Sequence, residues 1–308
     1  MRRWLNARHH DGLSAVSGLR LHWPEYLMEA SGVAVYMFSV CAFATLLQHP
    51  ASPLRHLVSN AFSRRLLMGL AVGGTVVAIV LSPAGKQSGG HFDPAVTLTF
   101  YRLGKIRLWD TLYYVAAQFC GAIFGAGIAK YMLRGAPADQ AVRYAVTVPG
   151  IYGSVVAFIA EVGISFGLMI TVLVATNREA VSRYTPYFVG ILYALYITFE
   201  SPLSGASMNP ARTLGSALQA GYWHALWIYF FAPQLGMLAA AHVFLRARGG
   251  VGPFCAKLHH HNNKRCIFIH SGVQQGETRI LPSGVEQQRG YGVGIILRVV
   301  MTSRMTIH

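Results

Sequence analysis

The feature that most constrains this chain is a series of long apolar blocks, most of them about as long as a lipid bilayer is thick. A helical crossing needs about 20 apolar residues, and Tyr187–Phe199 is a shorter sixth block. The longer blocks are Tyr26–Gln48, Leu66–Ser82, Leu112–Leu133, Val155–Ala175 and Trp223–Leu245. Charged residues make up only 12% of the chain, about half the share of soluble domains. The sequence predicts an all-α membrane protein with six spans, and a soluble helical core is the disfavoured alternative.

The chain carries a formal net charge of +15, which can indicate a nucleic-acid partner. Most of the 26 Lys and Arg, however, fall in segments that share one face of a six-span topology, as expected of cytoplasmic loops. We therefore expect a multi-pass protein of the inner or plasma membrane with both termini in the cytoplasm. Its surroundings are the lipid bilayer, and no nucleic acid is expected as a partner. The expected segments are a cytoplasmic N-terminal segment, a membrane domain and a basic cytoplasmic tail, at 1–24, 25–246 and 247–308.

Two short segments of the chain repeat one another. They are SGGHFDPAVTL at Ser88–Leu98 and SGASMNPARTL at Ser204–Leu214. Each lies between the second and third spans of its half, and the first span of each half contains a glutamate, Glu29 or Glu161. Because three spans per half is an odd number, the halves must face opposite ways across the membrane. The sequence thus predicts an inverted 3+3 repeat, a plan that puts the functional site near the midplane.

Each repeated segment is too short and too polar to be a span. Asp93 and Asn209 are good N-cap residues, and the prolines that follow them, Pro94 and Pro210, suit the first helical position. Each segment is therefore predicted to be a re-entrant loop followed by a half-helix. Since the two enter from opposite faces, their N-termini meet near the midplane, where the paired helix dipoles repel cations.

Three ionisable side chains belong to this arrangement. Re-entrant loops leave backbone N–H groups unpaired, so we interpret Glu29 and Glu161 as loop anchors, with a proton relay as the alternative. Arg212 adds a permanent positive charge where the first segment has Val96. An ionisable group in a membrane segment indicates a functional site, and snorkelling toward the interface is the alternative for Arg212.

The first segment also contains an acid and a histidine. An ionised aspartate only accepts hydrogen bonds, so Asp93 can cap its helix but cannot donate to passing water as Asn209 can. We expect Asp93→Asn to leave conduction intact or to improve it. His91 is interpreted as a loop-packing residue, and a pH gate is the sharper alternative.

These motifs resemble those of the aquaporin, or major intrinsic protein, family, in a bacterial-type member with a variant first Asn-Pro-Ala box. The two boxes match Asp93, Pro94 and Ala95 in the first half and Asn209, Pro210 and Ala211 in the second. The flanking patterns match as well, and the resemblance covers about residues 24–246. It implies an aquaporin-like channel domain in a homotetramer with one pore per subunit. It further implies passive flow of water or small uncharged solutes such as polyols and urea, exclusion of ions and protons, and neither enzyme activity nor a cofactor.

The resemblance also implies a selectivity filter formed by four positions. They fall on Arg212, Ala206, Ile197 and Gly73, or on Val72 instead of Gly73 if one residue is gapped. Water-specific members usually have His at the position of Ile197 and Phe at the second-span position. A filter without them is wider and more apolar, which favours small neutral solutes alongside water.

Beyond Leu245 the composition changes, and the segment CAKLHHHNNKRCIFIH contains pairs of metal-ligand residue types. A basic extension without metal is the favoured interpretation. The weak metal candidates are Cys255, His259, Cys266 and His270.

Two rival functions stay open on the sequence. A proton- or ion-coupled secondary transporter also uses inverted repeats and broken helices, and Asp93 is the feature that hints at one. The other rival is a non-conducting membrane sensor with a metal-binding tail. No nucleophile–base pair, phosphate loop or cofactor motif points to an enzyme.

Overall fold

The computed structural model describes residues 14–270, and these contain α-helices, short 3-10 turns and loops but no strand. The α-helices are α1 (Ala15–Gln48), α2 (Pro53–Leu57), α3 (Ala61–Leu81), α4 (Pro83–Ser88), α5 (Pro94–Arg102), α6 (Leu108–Met132), α7 (Gly153–Thr176), α8 (Glu179–Ser182), α9 (Thr185–Phe199), α10 (Ser201–Ser204), α11 (Pro210–Ala220) and α12 (Leu226–Ala247). Five of them (α1, α3, α6, α7 and α12) are long and apolar enough to cross a membrane, and α9 is a shorter apolar helix. The predicted all-α fold is confirmed, including the shorter fifth span.

Helix α1 begins well before the apolar block that predicted it. Its first residue is Ala15, and the side chain of Ser14 caps it by accepting a hydrogen bond from the N–H of Ser17. Pro24 lies inside the helix. A side-chain hydrogen bond ties the polar first turns to α6, since His22 Nδ1 lies 2.7 Å from Asp110 Oδ1. The described part of the predicted 1–24 segment is therefore mostly helix.

The two repeated segments form the predicted half-helices, α5 and α11. Asp93 and Asn209 are their N-caps, each followed by proline. A short helix precedes each re-entrant loop, α4 in the first half and α10 in the second. The half-helices are about 14 and 16 Å long at 1.5 Å per residue, so neither spans a bilayer.

The backbone of the two re-entrant loops repeats as well. The left-handed residues of the first loop are Gly89, Gly90 and Phe92, and those of the second are Gly205, Ala206 and Met208. Positive φ is uncommon outside glycine, so the same three positions in both loops are a strong sign of duplication. The inverted repeat predicted from the motifs therefore extends to the local backbone conformation.

Glycines let the membrane helices of each half approach closely. A Cβ on Gly121 of α6 would clash with the Ala30 carbonyl of α1, and one on Gly236 of α12 would clash with the Val162 carbonyl of α7. Small residues at such contacts are typical of membrane helix pairs, where close van der Waals packing drives association. The equivalent pairs α1–α6 and α7–α12 thus use the same device.

Residues 251–270, here called the tail loop, follow α12 without regular secondary structure. The tail loop packs against the end of the bundle at which α1 begins, which we call the terminal face. There the Ile269 N–H donates to the Lys105 carbonyl, and the Leu258 N–H donates to the Gly89 carbonyl, both at 2.9 Å. Part of the predicted 247–308 tail is therefore integral to the bundle, while its segment from Ser271 onward lies outside the described residues.

Candidate pore

The N-termini of the two half-helices are joined through Asn209. Its Oδ1 accepts from the N–H groups of Ala211 (2.9 Å) and Arg212 (3.1 Å). Its Nδ2 donates to the carbonyl of Phe92 at 2.8 Å, the residue just before Asp93. An amide nitrogen carries two hydrogens, so a second donor remains on Asn209 beside the cavity described below.

Glu29 holds the first re-entrant loop from α1. Its carboxylate accepts from Ser88 Oγ (2.7 Å), the His91 N–H (3.2 Å) and the Phe92 N–H (2.7 Å). Gln118 Nε2 of α6 donates to it at 2.8 Å. The carboxylate is fully buried, and these contacts support the anchoring role expected of Glu29 rather than a proton relay.

Glu161 holds the second loop from α7 in the same way. It accepts from Ser204 Oγ at 2.8 Å, from the Ser207 N–H at 2.7 Å and from the Met208 N–H at 2.8 Å. The loop positions match those bound by Glu29, counted from each N-cap. A buried carboxylate is stable when several donors satisfy it, and both glutamates meet that condition.

Asp93 reproduces one half of the Asn209 arrangement. Its Oδ1 accepts from the Ala95 N–H at 2.8 Å. Its Oδ2 is buried without a hydrogen-bond partner among the described residues, and Asp93 lines the cavity. This side chain therefore presents an acceptor to the cavity where Asn209 presents a donor.

A narrow cavity of about 30 Å³ lies at this junction, enough for single water molecules. Its polar side chains are His91, Asp93 and Asn209. The other side chains that line it are Tyr36, Val76, Ile79, Val80, Phe92, Val96, Leu168, Val172, Val189, Tyr193 and Leu258. The cavity is thus mostly apolar, with the acceptor of Asp93 and the donor of Asn209 in its lining.

The two candidates for the second-span filter position have different surroundings on α3. Gly73 faces α9, where a Cβ would clash with the carbonyl of Gly190. Val72 is buried one turn before Val76 and two turns before Ile79 on α3, and those two residues line the cavity. Helical spacing puts Val72 on the same face of α3 as they are, whereas Gly73 belongs to the helix–helix contact.

The other three filter candidates lie on α9, the second loop and α11. Ile197 is half-buried, Ala206 is buried, and Arg212 is buried with no partner for its Nη1 among the residues that the structure describes. The Arg212 guanidinium lies beside the Tyr36 hydroxyl. Tyr36 packs edge-to-face on Tyr193 with ring centroids 6.2 Å apart, and Tyr193 lies one turn before Ile197 on α9. Sequence reasoning missed this tyrosine pair.

His91 is held on both ring nitrogens. Its Nδ1 lies 3.0 Å from Thr97 Oγ1, and its Nε2 lies 2.9 Å from the Ala256 carbonyl. The ring is stacked between Phe100 and Phe268, each with centroids 5.2 Å away. These contacts support the loop-packing interpretation and connect the first loop to the tail loop.

The tail loop brings three of the four weak metal candidates together. Cys255, Cys266 and His270 cluster with His260, and their ligand atoms all lie within 4.8 Å of one another. His259 is not part of the group. The structure puts His260 rather than His259 beside the other three residues, because a loop has no fixed periodicity from which the inward-facing histidine of three in a row can be predicted.

A helical membrane bundle with two opposed half-helices, whose capped N-termini meet at a narrow apolar cavity, defines a passive membrane channel. Comparison with known proteins agrees with this class. The model of the family described as major intrinsic protein matches residues 19–244.

Relatives and solved structures extend the match. Nodulin-26 of Glycine max is 33% identical over 70% of this chain and 74% of its own length. Aquaporin TIP4-4 of Zea mays is 35% identical over 61% of this chain and 75% of its own. The aquaglyceroporin of Plasmodium falciparum has the same fold, with a TM-score of 0.59 and 22% identity over 75% of this chain and 96% of the other.

The chain belongs to the major intrinsic protein family. It is a membrane protein and a passive channel for water or small solutes, not an enzyme.

Proposed function

We propose that this channel conducts small neutral solutes of the size of glycerol and urea together with water. The observation that carries this proposal is the wall of the pore, which is apolar on most sides and includes the side chains of Tyr36 and Tyr193. Amphipathic rings of this kind offer a polyol both apolar surface and a polar handle. The acceptor of Asp93 and the donor of Asn209 then hydrogen-bond the permeant at the centre.

The proposed filter consists of Val72, Ile197, Ala206 and Arg212. Three of these side chains are apolar and two are small, so a molecule at this level finds few donors besides the guanidinium. Arg212 Nη1 is buried and has no hydrogen-bond partner within residues 14–270, which supports a role in binding the permeant. Its positive charge, added to the two half-helix N-termini, disfavours cations and protons.

We assign the terminal face to the cytoplasm of an inner or plasma membrane. Lys and Arg are more numerous at this face than at the opposite one, which follows the positive-inside rule. Those in the described region are Arg20, Lys86, Arg102, Lys105, Arg107, Arg178, Arg183, Arg246, Arg248, Lys257, Lys264 and Arg265. The homotetramer implied by the family resemblance is also part of the proposal, and light scattering of the detergent-solubilised protein tests it.

Stopped-flow light scattering of proteoliposomes under water, glycerol and urea gradients tests the permeant. The Leu258→Ala variant should be measured beside the wild-type protein, because the Leu258 side chain lines the terminal end of the cavity. We expect all three permeants to cross faster than in empty liposomes. Ile197→His should reduce glycerol flux relative to water flux, and Ile197→Leu serves as the size-matched control. Water flux without glycerol or urea flux would contradict the proposed permeants.

A further inference from the structure

Four metal-ligating side chains converge outside the pore in the tail loop. They are Cys255, His260, Cys266 and His270, and they come from a stretch of irregular backbone. Two cysteines and two histidines are a common ligand set for structural zinc. Softer thiolate and imidazole ligands also disfavour calcium and magnesium, which prefer oxygen.

The spacing of the ligand atoms fits one tetrahedral ion. Zinc bonds of about 2.3 Å to sulfur and about 2.0 Å to nitrogen put two sulfurs about 3.8 Å apart, and a sulfur and a nitrogen about 3.5 Å apart. Here the Cys255 and Cys266 sulfurs are 3.6 Å apart, and Cys266 Sγ lies 3.3 Å from His270 Nε2. A disulfide has its sulfurs about 2.0 Å apart, so the observed sulfurs are spaced as co-ligands rather than bonded.

Groups around the cluster support the ligands. The N–H of Lys257 bonds to the sulfur of Cys255, and the N–H of Phe268 bonds to that of Cys266, two residues on in each case. Hydrogen bonds of this kind stabilise metal-bound thiolates. His260 Nε2 is buried without a partner among the described residues. An apolar ring covers both imidazoles, since Phe254 has centroids 5.3 Å from His260 and 5.1 Å from His270.

We propose that Cys255, His260, Cys266 and His270 bind a zinc ion, and that the ion holds the tail loop in the terminal mouth of the pore with Leu258 as the plug. The metal site stands on the ligand geometry alone, whereas the closure rests on the proposed conduction pathway.

The position of Leu258 connects the metal to the pore. It lies between the ligands Cys255 and His260 in the chain, and its side chain is buried against the cavity that contains Asp93 and Asn209. Its N–H is tied to the re-entrant loop through Gly89. Any movement of the two ligands therefore moves the plug.

Further contacts attach the tail loop around the mouth. Arg265 forms an ion pair with Glu25 of α1 at 2.7 Å, and the Phe254 N–H donates to Asn177 Oδ1 after α7 at 2.8 Å. Ordering 20 residues of irregular chain costs about 1–2 kcal/mol per residue in backbone entropy. A metal cross-link adds stabilisation to the contacts of the tail loop, as it does in small zinc domains.

Elemental analysis of the purified full chain tests the site. The protein should carry no polyhistidine tag and be kept under a thiol reductant. We expect about one zinc per chain, as in a structural Cys₂His₂ site. Replacement by Co²⁺ should give the intense visible absorption of a tetrahedral thiolate complex.

Zinc retention should be compared between a variant that lacks two ligands and a variant that lacks a neighbouring histidine. Cys266→Ser with His270→Ala should abolish zinc retention, whereas His259→Ala, which removes a neighbouring imidazole outside the cluster, should retain it. Absence of zinc with both thiols free, or a mass two hydrogens lower from a Cys255–Cys266 disulfide, would overturn the site. Equal zinc in the two variants would also overturn it.

Solute flux into proteoliposomes tests the closure. Removal of zinc with a chelator at the terminal face should raise flux several-fold, and zinc but not magnesium should reverse the effect. Leu258→Ala should conduct with zinc bound and respond little to the chelator. If zinc binds but its removal leaves wild-type flux unchanged, whether that flux already equals the flux of Leu258→Ala or lies below it, the closure is wrong. No flux in any of these samples would refute the conduction pathway, and the closure with it, while the metal analysis stands apart.

Discussion

At position 93, a carboxylate occupies the place that an amide occupies at position 209. Both side chains cap a half-helix through Oδ1. They differ in the second atom, because Asn209 Nδ2 bonds to Phe92 while Asp93 Oδ2 has no partner among the described residues. The cap was predictable from the sequence, since it depends on one residue and the proline after it. The orphaned oxygen was not, since it depends on what the opposite half-helix presents.

Asp93→Asn should keep the fold and keep or raise water and solute flux. The Oδ1 cap persists, and the new amide offers the donor that an aspartate lacks unless it is protonated. Stopped-flow flux measures the effect, and any cation leak of the wild-type channel should fall in the variant. Asp93→Ala is the contrasting variant, since it loses the cap and about 1 kcal/mol of stability. Loss of flux in Asp93→Asn would contradict the account.

Glu29→Gln should lower the thermal stability of the protein. Glu29 accepts from four donors, and an amide offers a single oxygen. Each buried donor left unpaired costs about 1–3 kcal/mol.

Thermal unfolding in detergent measures the loss. Glu179→Gln, at an exposed site before the fifth span, is the matched control and should unfold like the wild type. If the two variants melt alike, Glu29 does not anchor the loop.

At the level of elements, the duplicated motifs predicted the half-helices and their opposed entry. The half-helices were predictable because N-cap residues act locally, and the opposed entry because each half has an odd number of spans. The tyrosine pair of Tyr36 and Tyr193 was not predicted. Tyr36 lies seven residues after Glu29, hence on the same face of α1, and this spacing was the signal available. Its partner could not be inferred, because no sequence pattern states how α9 is rotated.

The packing of α3 against α9 gives a test with adjacent residues. Gly73→Ala should destabilise the protein by about 1–3 kcal/mol, as overpacking does, because the added methyl meets the Gly190 backbone. Gly74→Ala should have little effect, since nothing lies within 4 Å of its added Cβ. Thermal unfolding distinguishes them. A stable Gly73→Ala channel with altered selectivity would instead assign Gly73 to the filter.

For the whole molecule, the sequence predicted the membrane domain well and the tail loop poorly. Apolar blocks and duplicated motifs are repeated signals, and each supports the others. The tail loop has no periodicity. The spacing of its residues therefore could not predict that His260 joins the cluster with the cysteines or that Leu258 lines the cavity. Both depend on contacts between residues far apart in the chain, such as His91 with Ala256.

The central claim is that a passive pore runs between the capped ends of α5 and α11. The most direct test is osmotic water flux into proteoliposomes that contain the full chain with zinc removed. Val76→Trp, which fills the cavity that Val76 lines, is the blocked control once its fold has been checked by thermal unfolding. We predict water flux several-fold above that of the blocked control and independent of a proton gradient. Flux equal to that of Val76→Trp, or flux driven by the proton gradient, would contradict the claim.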